Sequence, residues 1–235
     1  MRYQDVLDVL AGGSAREWAL GVLGGIAEGG PRGSGGSGGP RGSGGPRGSG
    51  VRGVRHPLGF LCLPLVREGD LGVCVHVWTA SARRARSTTS QVHCHSWDLV
   101  SHVLYGQVRN VHAVVTDTTR SPTHRVFEVV STPSGDVIRP TPRTVAYAPG
   151  RAELFGPGDT YTLVAGAFHS SVIPEDGEAA TVALGRGRPG LGDLSLGPLT
   201  TPLHHVRRER LDDAETARAA ELARRSLWTS NTPDG

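Results

Sequence analysis

His93, His95 and His169 are the residues of this sequence whose type and spacing could do chemistry. His93 and His95 flank Cys94 in the run Val92-His93-Cys94-His95-Ser96-Trp97-Asp98-Leu99. On a strand, residues i and i+2 share a face, so the two imidazoles project together and Cys94 points the other way. Two imidazoles on one face are a natural first pair of ligands for a divalent transition metal. Leu104-Tyr105-Gly106-Gln107 reads as a tight turn that sends the chain back along the next strand. Far downstream, the Gly156-Pro157-Gly158 turn and the stretch Val164-Ala165-Gly166-Ala167-Phe168-His169 predict a second hairpin. That hairpin would deliver His169 at the start of a strand.

The elements that must position these side chains are mostly short apolar runs between turn signals. Leu58–Val66, Gly72–Trp78, Val92–Leu104, Gln107–Val115, Arg125–Val130, Val137–Ile138, Thr144–Ala148, Thr160–Ala165, Phe168–Ile173 and Ala179–Leu184 read as strands. No helical pattern separates them, so the fold class is all-β, a sandwich or barrel, spanning 54–185. Residues 1–28 read as a helical segment with a break at Gly12-Gly13. Residues 29–53 repeat Pro-Arg-Gly-Ser-Gly-Gly with variations and read as a flexible linker that buries nothing. Residues 186–235 form a C-terminal extension. Its Gly/Pro-rich part, 186–206, is expected to wrap the surface. A helix is expected over 211–228, with acids in its first turn and Arg224-Arg225 near its end, as the helix dipole prefers.

Composition narrows the function. All 25 basic side chains are arginine, because the sequence contains no lysine. This removes Schiff-base and P-loop lysine chemistry, and the bias suits a GC-rich genome. Five of those arginines fall in residues 31–55 with no acid among them, so the remainder is close to neutral and basicity is no argument for nucleic-acid binding. Arg-Gly tracts can bind RNA, but this one has few arginines and no aromatics. No apolar run approaches the ~20 residues of a membrane span, and no signal peptide is expected. The 3 cysteines, Cys62, Cys74 and Cys94, make neither a disulfide framework nor a Cys-x-x-Cys pair. A reduced, cytoplasmic protein is the expectation.

Taken together, the two histidine motifs resemble those of the cupin superfamily. His93 and His95 match the family's His-x-His, and Gly106 closes that motif six residues after Leu99. Gly158, Gly166 and His169 match the second motif. Departures are Ser87 at the opening glycine, Val164 for proline, Ile173 for asparagine, and above all Leu99 at the place of the glutamate ligand. The resemblance implies a cupin jelly-roll barrel with short N- and C-terminal helices, and a metal on His93, His95 and His169. Loss of the glutamate is the mark of cysteine-dioxygenase-like cupins, and Leu65-Val66-x-x-Gly69 before a strand ending at Trp78 is similar to that branch too. Leu63-Pro64 stand where its carboxylate-gripping arginine is expected, and Leu99 where its crosslinked cysteine lies.

That likeness implies a non-haem Fe(II) oxygenase that adds oxygen from O2 to a small thiol or amino-acid-derived substrate, L-cysteine included, in bacterial specialised metabolism. Imidazoles accept Zn, Mn or Ni as well, so a non-oxidative isomerase or lyase is the alternative, followed by a non-catalytic small-molecule-binding cupin. Partners are then the substrate and O2, with no nucleic acid and no membrane; a homodimer is compatible. Tyr161 is a candidate catalytic tyrosine, and His76, alternating with Val75 and Val77, a candidate that supports the metal site. Trp97 and Ser101 share strand parity with His93 and His95 and are candidate substrate contacts. Arg84 and Arg86, beside Arg83 in the preceding loop, could supply charge for a substrate carboxylate. Asp98 falls on the opposite parity, and only a bulge would aim it at the site. His102 and His112 are expected to be packed or exposed.

Overall fold

The computed structural model describes residues 1–29, 50–82, 87–132, 134–174 and 177–230. Two helices open the chain, α1 (Tyr3–Ala11) and α2 (Ala15–Glu28). Fourteen strands follow: β1 (Val54–His56), β2 (Phe60–Glu68), β3 (Leu71–Trp78), β4 (His93–Cys94), β5 (Trp97–Tyr105), β6 (Val108–Asp117), β7 (His124–Thr132), β8 (Gly135–Phe155), β9 (Thr160–Leu163), β10 (His169–Val172), β11 (Ala179–Gly187), β12 (Leu194–Gly197), β13 (His204–Val206) and β14 (Glu209–Arg210). Helix α3 (Asp213–Thr229) ends the described chain. The strands make two antiparallel sheets, one in the order β14-β1-β2-β3-β11-β5-β9 and one in the order β13-β8-β6-β10-β4-β12-β7.

The first sheet is buried on both faces, and its sequence shows why. On β3, Val73, Val75 and Val77 alternate with Cys74, His76 and Trp78. The valines pack outward with Ala180, Val182 and Leu184 of β11 against Val6, Ala19, Leu23, Ala220 and Leu227 of the three helices. The other parity faces inward. There Trp78, Leu99, Val103, Ala179 and Ala183 meet Val108 of the second sheet, with Cys62, Cys74 and Phe155 packed alongside. A strand covered on both sides tolerates a near-continuous apolar run, as in β11. The turn between β5 and β6 depends on Gly106, whose φ is +73°. A Cβ there would stand 2.0 Å from the Glu178 carbonyl oxygen.

The second sheet closes on itself, because β8 also pairs with β7. The 21 residues of β8 pair with β7 through their first half and with β6 through their second. This ring of strands carries a core of its own, with Val92, Val126, Val145 and Leu196 at its centre. Two separate strands, Val137–Ile138 and Thr144–Ala148, are expected, yet the strand runs through. The reason is local. Pro140 lies opposite Phe127 at one register shift, and Pro149 lies opposite Ala113 at another; bulges are where a strand tolerates a residue without an N–H.

Other sequence expectations also shift. The helical segment 1–28 is two helices joined at Gly12–Ser14, with Gly13 at φ +75°. The sheets do not stop at residue 185. Strand β11 runs to Gly187, β12 inserts between β4 and β7 with Leu196 fully buried, and β13 and β14 extend both sheets. Within 186–206, Leu194–Gly197 and His204–Val206 therefore join the sheets, while 188–193 and 198–203 run between strands. The stretch reads as loop because its strands are short. Of the expected linker 29–53, residues 30–49 lie outside the described residues. Its end is anchored: Gly53 donates to Thr216 Oγ1 at 3.0 Å and accepts from the Leu211 N–H at 2.8 Å. Helix α3 starts with a capping box between Asp212 and Glu215, two residues later than the expected 211. Among the described residues, no helix is long and apolar enough to cross a membrane.

Leu23 of α2 is fully buried against the outer face of the first sheet. Leu23→Ala is expected to cost ~2–5 kcal/mol of stability, as buried leucine truncations do, measured as a lowered urea midpoint. An unmoved midpoint would mean that α2 does not dock on the sheet.

Candidate metal centre

Register brings the histidines together. Strand β4 lies between β10 and β12, and His93 is the direct cross-strand partner of His169. Their ring centroids are 4.5 Å apart. The expected continuous strand Val92–Leu104 is interrupted at His95-Ser96, where the chain leaves the second sheet for the first. His95 thus owes its place to this crossing, not to strand parity. Its ring still lies 4.7 Å from that of His93 and 5.3 Å from that of His169. It stacks on Trp97 at 4.1 Å. One ligand nitrogen from each of the three falls within 4.8 Å of the others.

The hydrogen bonds fix which nitrogens are free. Nδ1 of His93 is 2.9 Å from the Gln91 carbonyl oxygen, and Nδ1 of His169 is 3.0 Å from that of Ala167. A carbonyl only accepts, so each Nδ1 carries the proton and each Nε2 keeps a lone pair. Backbone carbonyls that hold the second nitrogen in this way orient and strengthen metal-binding imidazoles. Burial keeps all three rings neutral. It lowers His93 and pushes His169 down to about 3. It lowers His95 well below the usual histidine value, with His93, His169, His56 and His76 adding repulsion. Three neutral imidazoles with converging nitrogens fit a divalent transition metal.

The turn before His169 is stitched to the His93–His95 segment by its backbone. The Gly166 N–H donates to the His95 carbonyl at 2.8 Å, and the Ala113 N–H donates to the Phe168 carbonyl at 2.9 Å. The carboxylate of Asp98 accepts from the Ala165 N–H at 2.9 Å and pairs with Arg188. The bond from Ala165, then Arg188, lowers its pKa. Asp98 is therefore a clamp on the turn and lies outside the ligand set.

The remaining expected residues fall in several places. Tyr161 and Ser101 are buried cross-strand partners on the inward face of the first sheet. Burial raises the Tyr161 pKa, against hydrogen bonding from Ser101 and Asn110. Neither lines the cavity beside His93 and His95. Trp97 holds His95 on one side and covers Gly185 on the other, where a Cβ would stand 2.9 Å from its ring. His76 lies with Cys62 and Cys74, apart from the triad. There Cys62 is held well below the usual thiol value, chiefly by its hydrogen bond with Cys74, and Cys74 is pushed up. His102 bonds Thr160 at the surface, and His112 donates to Glu153 at 3.0 Å. Arg84 and Arg86, like Arg83, lie outside the described residues.

A cavity of about 90 Å³ opens beside His93 and His95, and its walls include residues the sequence did not single out. His56 lines it and is neutral through burial, with Arg208 adding repulsion. Its Nδ1 accepts from the Leu58 N–H at 3.2 Å, so its Nε2 carries the proton and can donate. Among the described residues, Arg208 is the one cation on the cavity wall. Its Nε donates to buried Asp136 at 2.8 Å and its Nη2 to Ser131 at 2.9 Å. Both residues come from parts of the chain far from the histidine motifs, where spacing gives no signal.

Buried neutral histidines make the metal-free fold acid-sensitive. Unfolded, each ring takes up a proton below about pH 6.5, whereas the folded triad resists protonation down to about 3 at His169. Stability is thus present above pH 6.5 and is lost as pH falls through this window. The urea midpoint of the metal-free protein should drop between pH 6.5 and 5, and His169→Gln should flatten that slope. An equal slope in both proteins would refute the buried neutral state of His169. No family model matches this chain, and no curated protein matches it either.

Proposed function

We propose that this chain is a metal-dependent enzyme of the cupin jelly-roll type, and specifically a non-haem Fe(II) oxygenase that acts on a small thiol or amino-acid-derived substrate. The observation that carries the reading is the ligand set: three converging, neutral imidazoles from His93, His95 and His169, with no carboxylate among them. Two antiparallel sheets, with His93 and His169 on one of them, His95 at the crossing between them and a mostly apolar inner face beside the group, support the barrel reading. Iron bound there would supply Lewis acidity and one-electron chemistry toward O2.

The chain's own residues supply position and charge. Neutral ligands leave the double charge of a divalent ion uncompensated, which favours anionic groups such as a thiolate and a carboxylate. Arg208 is the matching cation on the cavity wall; the guanidinium nitrogens not spent on Asp136 and Ser131 would hold a substrate carboxylate. His56 offers an Nε2–H donor on the same wall and keeps that proton at neutral pH. The stitched turn before His169 holds the third ligand in place without a contribution from the substrate.

The test is metal content of anaerobically purified protein, then O2 uptake on addition of L-cysteine and related thiols. Stoichiometric iron and thiol-dependent uptake are expected in the native chain, and both are expected to vanish in His169→Ala. Full retention of both in that variant would overturn the proposal, and turnover without O2 consumption would favour isomerase or lyase chemistry. Arg208→Lys should raise KM for a carboxylate-bearing thiol about tenfold, the scale of a lost charge-assisted bond, with a smaller change for a thiol lacking the carboxylate. An equal change for both would remove Arg208 from substrate recognition.

A further inference from the structure

A second group of soft ligands faces the same interior and has no part in the reaction proposed above. We propose that Cys62, Cys74 and His76 form a separate thiolate-rich site for a zinc-type divalent ion. The three come from one hairpin. His76 on β3 is the direct cross-strand partner of Cys62 on β2, and Cys74 precedes His76 by two residues on the same strand. Strand geometry therefore points all three to one face. It is the inward face, since Val73, Val75 and Val77 occupy the other beneath the helices.

The distances suit a metal. One ligand atom from each residue lies within 4.8 Å of the others, and Cys74 Sγ is 3.4 Å from His76 Nε2. Zinc–sulfur bonds of about 2.3 Å and zinc–nitrogen bonds of about 2.0–2.1 Å at a tetrahedral angle give a sulfur–nitrogen edge of roughly 3.5 Å. The two cysteines are free thiols, so both sulfurs are available. The imidazole is held by rings: Phe60 at 4.4 Å and Trp78, edge-on, at 5.9 Å. All three residues are half-buried, and among the described residues they supply three of the four ligands of a tetrahedral site.

The donor set sorts this site from the first. Two sulfurs and one imidazole select zinc or another thiophilic ion, whereas three imidazoles alone accept iron. The third cysteine, Cys94, is buried, pairs across strands with Leu194 and belongs to neither ligand group. The chain would then hold two unlike ions in one interior, the cysteine group on the first sheet and the histidine group on the second sheet and the crossing after it.

Cobalt(II) tests this directly, because thiolate coordination to it gives an intense near-ultraviolet charge-transfer band that imidazole coordination does not. Full-length metal-free protein, kept reduced and anaerobic, is titrated with Co2+. Two bound equivalents are expected, one of them with the thiolate band. Cys62→Ser and Cys74→Ser should each abolish the band and retain the other equivalent. His169→Ala and Cys94→Ser should keep the band, and the first of these separates the proposal from the fate of the histidine triad. The proposal is overturned if folded native protein binds Co2+ without a thiolate band, if the band survives Cys62→Ser or Cys74→Ser, or if intact mass under reductant shows a Cys62–Cys74 disulfide in place of ion binding.

Discussion

The pairing of β10 between β4 and β6 is the constraint on which the site depends. It sets His169 opposite His93, and side chains on strands alternate, so a slip of one residue would turn His169 to the other face. The register is held on both sides. Four consecutive residues of β10 pair with β6, and the Phe168 carbonyl is taken by Ala113 at the bulge of that strand. The register shift between β6 and β8 lies at the same place, where Ala113 faces Pro149 on one side and bonds the turn that carries the third histidine on the other.

Distance along the chain is bridged by backbone rather than by side chains. His95 and Gly166 are joined carbonyl to N–H, and Asp98 reaches Ala165 from the start of β5. His93 and His169 then each need only one local bond to fix the tautomer, to a carbonyl two residues earlier. Such short-range fixing leaves little rotamer freedom to lose when an ion binds. The helices act from the other side. Their apolar faces cover the valine parity of β3 and leave its cysteine–histidine parity to the interior.

Much of this was legible in residue pattern, and the gaps have physical causes. Short apolar runs between turn signals mark β2, β3, β5 and β6, and the triad follows from a His-x-His pair and a second hairpin that delivers His169 at a strand start. Asp98 was left open because strand parity gives its direction but not its partner; the partner, Ala165, is a backbone group. Strands β12 and β13 were missed because three or four residues carry no period, and their pairing is decided by neighbours distant in sequence. Strand β8 reads as two short apolar runs, because the residues between them carry no strand pattern; register shifts at Pro140 and Pro149 let one strand run through. Arg208 and His56 are invisible to motif spacing because they reach the cavity from opposite ends of the strand sequence. The cysteine group was concealed for a related reason: Cys62 and Cys74 are twelve residues apart, and only the β2–β3 register makes them neighbours of His76.

The long strand β8 has a consequence for how copies of this chain can meet. By pairing with β7 as well as β6, it closes the ring of the second sheet, so the terminal strands of the two sheets among the described residues are β13, β14 and β9, of three, two and four residues. Unpaired borders are where sheets recruit foreign strands and begin to polymerise, and very short ones offer a poor template. These terminal strands are therefore poor starting points for edge-to-edge polymerisation.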